Sequence, residues 1–74
     1  MNPKLPALTA ARMIAILRQH GFEPVRQSGS HLVLRHADGR RVTVPVHSGR
    51  DPGRGLVQRI MRDAGLTADD LLRD

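Results

Sequence analysis

The stretch "LVLRHADGRRVTVPV", residues 32 to 46, constrains the fold of this chain more than any other. Val42, Val44 and Val46 alternate with other residues, as do Leu32 and Leu34 before the turn, and this period of two is the mark of a half-buried hairpin. The turn decides which side chains share a face. A two-residue Asp38-Gly39 loop would set Leu32 and Leu34 opposite Pro45 and Thr43 and split the apolar set across both faces. A three-residue Ala37-Asp38-Gly39 loop, with Gly39 in the left-handed conformation, pairs His36 with Arg40 instead and gathers Leu32, Leu34, Val42, Val44 and Val46 on one face. The other face then carries His31, Val33, Arg35, Arg41, Thr43 and His47.

The rest of the chain falls around this hairpin. Thr9 reads as the N-cap of a first helix with Ala10, Met13, Ile14 and Leu17 at helical spacing, a hydrophobic staple between Leu8 and Met13, and Gly21 as the stop. Residues 22 to 27 and 30 to 36 read as strands, and "RRVTVPV" as a third. Proline donates nothing to a sheet ladder, so Pro24 and Pro45 belong on edge strands and the run without proline lies between them, giving the order 1-2-3. After the Gly-rich basic loop "HSGRDPGRG", a second helix is expected with Val57, Ile60, Met61 and Ala64 on one side and Gly65 as its stop. Thr67 and Asp70 resemble a capping box, and Leu66 with Leu71 a further staple, so a short terminal helix is expected. The predicted layout is one α+β domain over residues 1–74, α-β-β-β-α, with helices on one face of an antiparallel sheet.

Charge points to the partner. Residues 1 to 62 hold 11 basic and 3 acidic side chains, while residues 63 to 74 hold 1 and 4, so a body of +8 is followed by a tail of −3. A basic surface on so small a chain suits a polyanion, and nucleic acid is the commonest. Phe22 is the only aromatic, which excludes the stacking platforms of single-strand-binding modules and leaves phosphates and shape as the means of contact. Cysteine is absent, so neither a disulfide framework nor a thiolate zinc site is available. No run reaches the ~18 apolar residues of a membrane span, and the N-terminal stretch lacks a signal-peptide core, so the expected location is cytoplasmic, with no membrane partner.

Histidine supplies the candidate chemistry. Of the four, His20 beside the helix stop and His36 at the hairpin read as structural. His31 follows Gly29 and Ser30, whose small side chains leave room for a ribose-phosphate backbone, and His47 lies diagonally across the same face. No pair has the helical spacing of metal ligands and no carboxylate run accompanies them, so no metal or other cofactor is expected. RNA cleavage needs none: the 2′-OH attacks its own phosphate once a base takes its proton and cations stabilise the phosphorane-like charge. An imidazole, which changes charge near neutral pH, is the natural base. Arg26, Arg35 and Arg41 from the strands, Arg50 and Arg54 from the loop, and Ser30 as a donor are the expected phosphate contacts, helped by amides at the second helix's N-terminus.

The stretch "GFEPVRQSGSHLVLRHADGRRVTVPVHSGRDPGRGLVQRIMRDAGLTADDLL" resembles the HicA toxins of bacterial toxin-antitoxin systems. The resemblance rests on Gly-Phe after the first helix, Arg in the first strand, Gly-Ser-His opening the second, Val-Pro-x-His ending the third, and a Gly-initiated helix running into Ala-Gly-Leu. It covers about Ala10 to Leu72. What it implies is a double-stranded-RNA-binding-domain-like fold, an endoribonuclease that cleaves mRNA and blocks translation, a catalytic histidine corresponding to His31, and a HicB antitoxin as partner. The chain departs from the family pattern in its arginine-rich, lysine-poor surface and in "RDPGRG", where lysines are commoner. A non-catalytic RNA-binding module of the same fold stays open as the alternative, since both readings need the basic face.

Overall fold

The computed structural model describes residues 8–46 and 53–72, the last two by backbone alone. Its elements run α1 (Ala10–Gln19), β1 (Phe22–Ser28), β2 (His31–His36), β3 (Arg41–Pro45), α2 (Arg54–Ala64) and α3 (Ala68–Leu72). The three strands form one antiparallel sheet in the order β1-β2-β3, and α1 and α2 supply the other half of a common core. This is the expected α-β-β-β-α arrangement of the double-stranded-RNA-binding-domain type.

The helices start and stop where short-range chemistry dictates. Thr9 Oγ1 accepts the Arg12 N–H at 3.0 Å, which satisfies one of the orphan donors of α1. Met13, Ile16 and Leu17 are buried, while Ile14, expected on the same stripe, lies to its side and packs only partly against the core. The burial of Ile16 follows from the spacing of 13, 16 and 17, which keeps a single narrow face toward the sheet. In α2 the buried side chains are the four expected, Val57, Ile60, Met61 and Ala64, and Gly65 closes the helix. Before α3 the Thr67 N–H donates to Asp70 Oδ2 at 2.8 Å, so the capping box forms with an aspartate. The side chain of Leu71, its expected staple partner, lies outside the described residues.

The hairpin forms in the expected register. The His36 N–H donates to the Arg40 carbonyl at 2.8 Å, the Gly39 N–H to the His36 carbonyl at 2.9 Å, and Gly39 takes φ +100°, which a residue with a Cβ rarely adopts. Leu32 therefore faces Val44, Leu34 faces Val42 and His31 faces Pro45. Leu34, Val42 and Val44 are buried, and Arg35, Arg41 and Thr43 stand exposed on the other side. The turn between β1 and β2 has two residues, Gly29 at φ +59° and Ser30, the pattern of a type II′ hairpin with glycine first. Ser30 is thus a turn residue rather than the first of β2.

One irregularity matters for the face opposite the core. Pairing between β1 and β2 slips by one residue between Pro24 and Arg26, leaving Val25 as a bulge. Strict alternation from Phe22 through Pro24 would place Arg26 on the core side. The bulge turns it over, so Arg26 lies opposite Val33 and joins the arginines of the exposed face.

Arg40 ties the hairpin to the second helix. Its backbone N–H and its Nε donate to the two carboxylate oxygens of Asp38 at 3.0 and 2.8 Å, and its Nη1 donates to the Ala64 carbonyl at the end of α2. The guanidinium also lies 5.2 Å from the centroid of the Phe22 ring, which His36 meets edge-on at 5.2 Å. The Asp38 N–H lies 3.0 Å from His36 Nδ1, which also approaches Asp38 Oδ1 at 3.1 Å. Hydrogen bonding from the Arg40 backbone N–H, helped by its side chain, holds the Asp38 carboxyl below its ordinary value. A lowered carboxyl stabilises the fold above about pH 4, and that contribution fades as pH falls through the lowered value.

Arg40→Ala removes the helix-terminal hydrogen bond and the ring contact together. It should cost about 1–2 kcal/mol of stability and lower the midpoint of a circular dichroism melt by roughly 5–10 °C. An unchanged midpoint would mean that the hairpin holds its place without this anchor.

Candidate functional site

His31 stands exposed at the first position of β2, directly after the type II′ turn. On the β3 side its partner is Pro45, and on the β1 side Ser28. The requirement of that turn for glycine at its first central position accounts for Gly29, and the half-buried Ser30 follows it with its carbonyl accepting the Val46 N–H. The imidazole therefore projects from a rigidly paired backbone rather than from a loop.

Beside it opens a cleft of about 360 Å³. Its sheet side is made by His31, Arg41, Thr43 and Pro45. The facing wall comes from α2, where Leu56, Arg59, Ile60 and Asp63 follow one another at helical spacing. The stripe that α2 buries against the core and the stripe that it turns to this cleft share Ile60, so core packing fixes the angle at which Arg59 and Asp63 are presented.

A second, shallower hollow of about 270 Å³ lies on the sheet face and is lined by Val25, Arg26, Val33, Arg35 and Arg41. Arg41 lines both, so the two adjoin at its side chain and together make an arginine track beside His31. Arg35 and Arg41 are direct cross-strand partners. His36 and Arg40 make the hydrogen-bonded pair next to them, and alternation makes Arg35 and Arg41 a non-hydrogen-bonded pair, the closer kind. Two like charges at that spacing repel. Glu23 is the β1 partner of Arg35, yet no ion pair joins them among the described residues.

Of the residues expected at the site, His31 and Arg41 meet in the cleft and Arg26, Arg35 and Arg41 meet in the hollow. Arg54 is exposed in the first turn of α2 and lines neither. His47 and Arg50 lie outside the described residues. The residues that the sequence did not bring forward are Leu56, Arg59 and Asp63. Their signal was the spacing of three and four residues beside the buried stripe of α2, but only the crossing of α2 past β3 shows that this flank faces His31.

A model of the HicA toxin of bacterial toxin-antitoxin systems matches residues 10–66, more than half of the chain. The chain belongs to the HicA toxin family. The match spans α1, the whole sheet and α2, and so takes in every element that lines the cleft of this HicA chain. Membership implies an antitoxin partner. No curated protein matches closely enough to stand as a relative. Among the described residues of this HicA protein, no helix is long and apolar enough to cross a membrane.

The facing arginines give a direct stability test. Arg35→Ala or Arg41→Ala should leave the stability of the HicA fold unchanged or raise it by up to about 0.5 kcal/mol at low ionic strength, and added salt should erase the gain. A loss above about 1 kcal/mol in urea titrations would show that these side chains carry structure.

Proposed function

We propose that this HicA chain is an endoribonuclease that cleaves mRNA and blocks translation, with His31 as its general base and no metal requirement. The observation that carries the reading is the placement of an exposed imidazole on a paired strand end, in a cleft that also receives Arg41 and opens onto the arginine track. In this reading His31 takes the proton of a ribose 2′-OH, which attacks the adjacent phosphorus. The P–O5′ bond breaks, leaving a 2′,3′-cyclic phosphate on one product and a 5′-OH on the other. Arg41 stabilises the charge that builds on the phosphorane oxygens.

Protonation of the departing 5′ oxygen falls to His47, two residues after Pro45 in the sequence. Arg26, Arg35, Arg50 and Arg54 hold the flanking phosphates, with Ser30 as a donor beside the scissile group. An antitoxin of the HicB type fits the family membership. Its acidic surface would cover the arginine track and His31 together, and such a complex weakens as salt rises. A chain acting in this way works in the cytoplasm, where mRNA is.

The deciding experiment is His31→Ala. As an exposed strand-end residue it should leave the melt within the range of a surface change, about 0.5 kcal/mol, while RNA cleavage falls by ~100-fold or more and RNA binding persists. Cleavage by the wild type should survive EDTA. A folded His31→Ala protein that cuts RNA at the wild-type rate refutes the assignment, and wild-type binding without cleavage leaves an RNA-binding module instead.

A further inference from the structure

We propose that the cleft beside His31 is a nucleotide subsite selecting guanine, with Asp63 as its specificity-determining residue and Arg59 as the cation for the phosphate flanking that base. The proposal rests on the reading that the chain acts on RNA. It begins from a contradiction in the lining. A cleft that only held phosphates would be weakened by a carboxylate beside them, yet Asp63 lines this one together with Arg41 and Arg59. A carboxylate there can accept from a hydrogen-bond donor, and RNA offers two kinds, the ribose 2′-OH and the N–H groups of the bases, of which only the second differs from one nucleotide to the next.

The state of the two helix residues supports this. Arg59 and Asp63 are four apart on α2, a spacing at which a helix commonly forms an ion pair. Among the described residues neither makes one, and both side chains are exposed and line the cleft. They are left for a ligand with an anionic end and a donor end, as a nucleotide has.

Apolar walls complete the fit. Pro45 from the sheet and Leu56 from α2, both half-buried, line the cleft together with Ile60. A flat base can lie against such surfaces without an aromatic platform, and none is available, since the only aromatic, Phe22, is fully buried. Aliphatic contact discriminates poorly among bases, so selection falls to the carboxylate in the lining. An ionised carboxylate offers two acceptor oxygens and no donor. Guanine alone presents two adjacent donors, N1–H and the N2 amino group, on its Watson–Crick edge. Adenine and cytosine pair one amino group with an acceptor, and uracil flanks a single N–H with two carbonyls.

The test measures binding, so that it does not depend on cleavage. Tetranucleotides with 2′-fluoro riboses lack the attacking hydroxyl and stay whole. Three of them, differing only in a central guanine, inosine or adenine among uridines, are titrated against the wild-type chain by fluorescence anisotropy. Guanine should bind about 10- to 100-fold tighter than adenine, with inosine between them because it lacks the N2 amino group. Asp63→Ala and Asp63→Asn should bring all three within about twofold. Arg59→Ala should weaken all three alike and lower the salt slope by about 1. Equal affinities for the wild type, absence of binding by all three, or a guanine preference that survives both Asp63 variants would overturn the subsite. The inosine comparison alters only the ligand, so it stands whatever a variant does to folding. Guanine selection in a chain that does not cut RNA would uphold the subsite and remove the nuclease reading. Cutting of mRNA without guanine selection would do the reverse.

Discussion

The three-residue turn Ala37-Asp38-Gly39 is the constraint on which the rest of this structure depends. It sets the register of β2 on β3, and because side chains alternate along a strand, register decides which set of residues meets the helices and which meets the solvent. With this turn the apolar residues of both strands gather under α1 and α2. The same choice assembles His31, Arg35 and Arg41 on the face that remains. Core and site are therefore two consequences of one loop length. Arg40 reinforces it from both directions, through Asp38 inside the turn and through the end of α2 outside it.

The face so formed is costly to the free molecule. Arg35 and Arg41 are held against each other as a close cross-strand pair, and the bulge at Val25 adds Arg26 beside them. A fold of this size has little stability to spare, and about 60% burial of the unfolded surface is typical of it. Among the described residues no acid pairs with these arginines, and concentrated like charge of this kind suits an anionic ligand. The track it makes ends at His31, and α2 supplies the opposite wall. The toxin family to which the chain belongs implies an antitoxin partner.

Much of this was legible in the sequence because the signals were local. Alternation in "VTVPV", the glycine of the turn, the N-cap Thr9, the stop at Gly65 and the prolines of the edge strands each carry their own physical reason, and each appears where it was expected. The signals that failed are those in which one residue answers to a distant part of the chain. Phe22-Glu23-Pro24-Val25-Arg26 does not announce a bulge, and Arg26 reached the exposed face only through it. Arg40 looked like one more basic residue of a hairpin, yet its guanidinium belongs to the packing of Phe22 and α2. Gly29 was read as room for a substrate, and the turn conformation explains it first. The α2 wall of the cleft needed the crossing of a helix past the free edge of β3, and no local pattern encodes that crossing.

This register, and not the one set by a two-residue turn, brings His31 to the arginine track. Cross-strand contacts between α-protons measure it directly, because only non-hydrogen-bonded partners in antiparallel strands bring those protons close. A nuclear Overhauser spectrum of the free chain should show α-proton cross-peaks for Arg35 with Arg41, Val33 with Thr43 and His31 with Pro45. Cross-peaks shifted by one residue along β3, joining Leu32 with Pro45 and Leu34 with Thr43, would contradict the account and place His31 away from the arginines that give it a role.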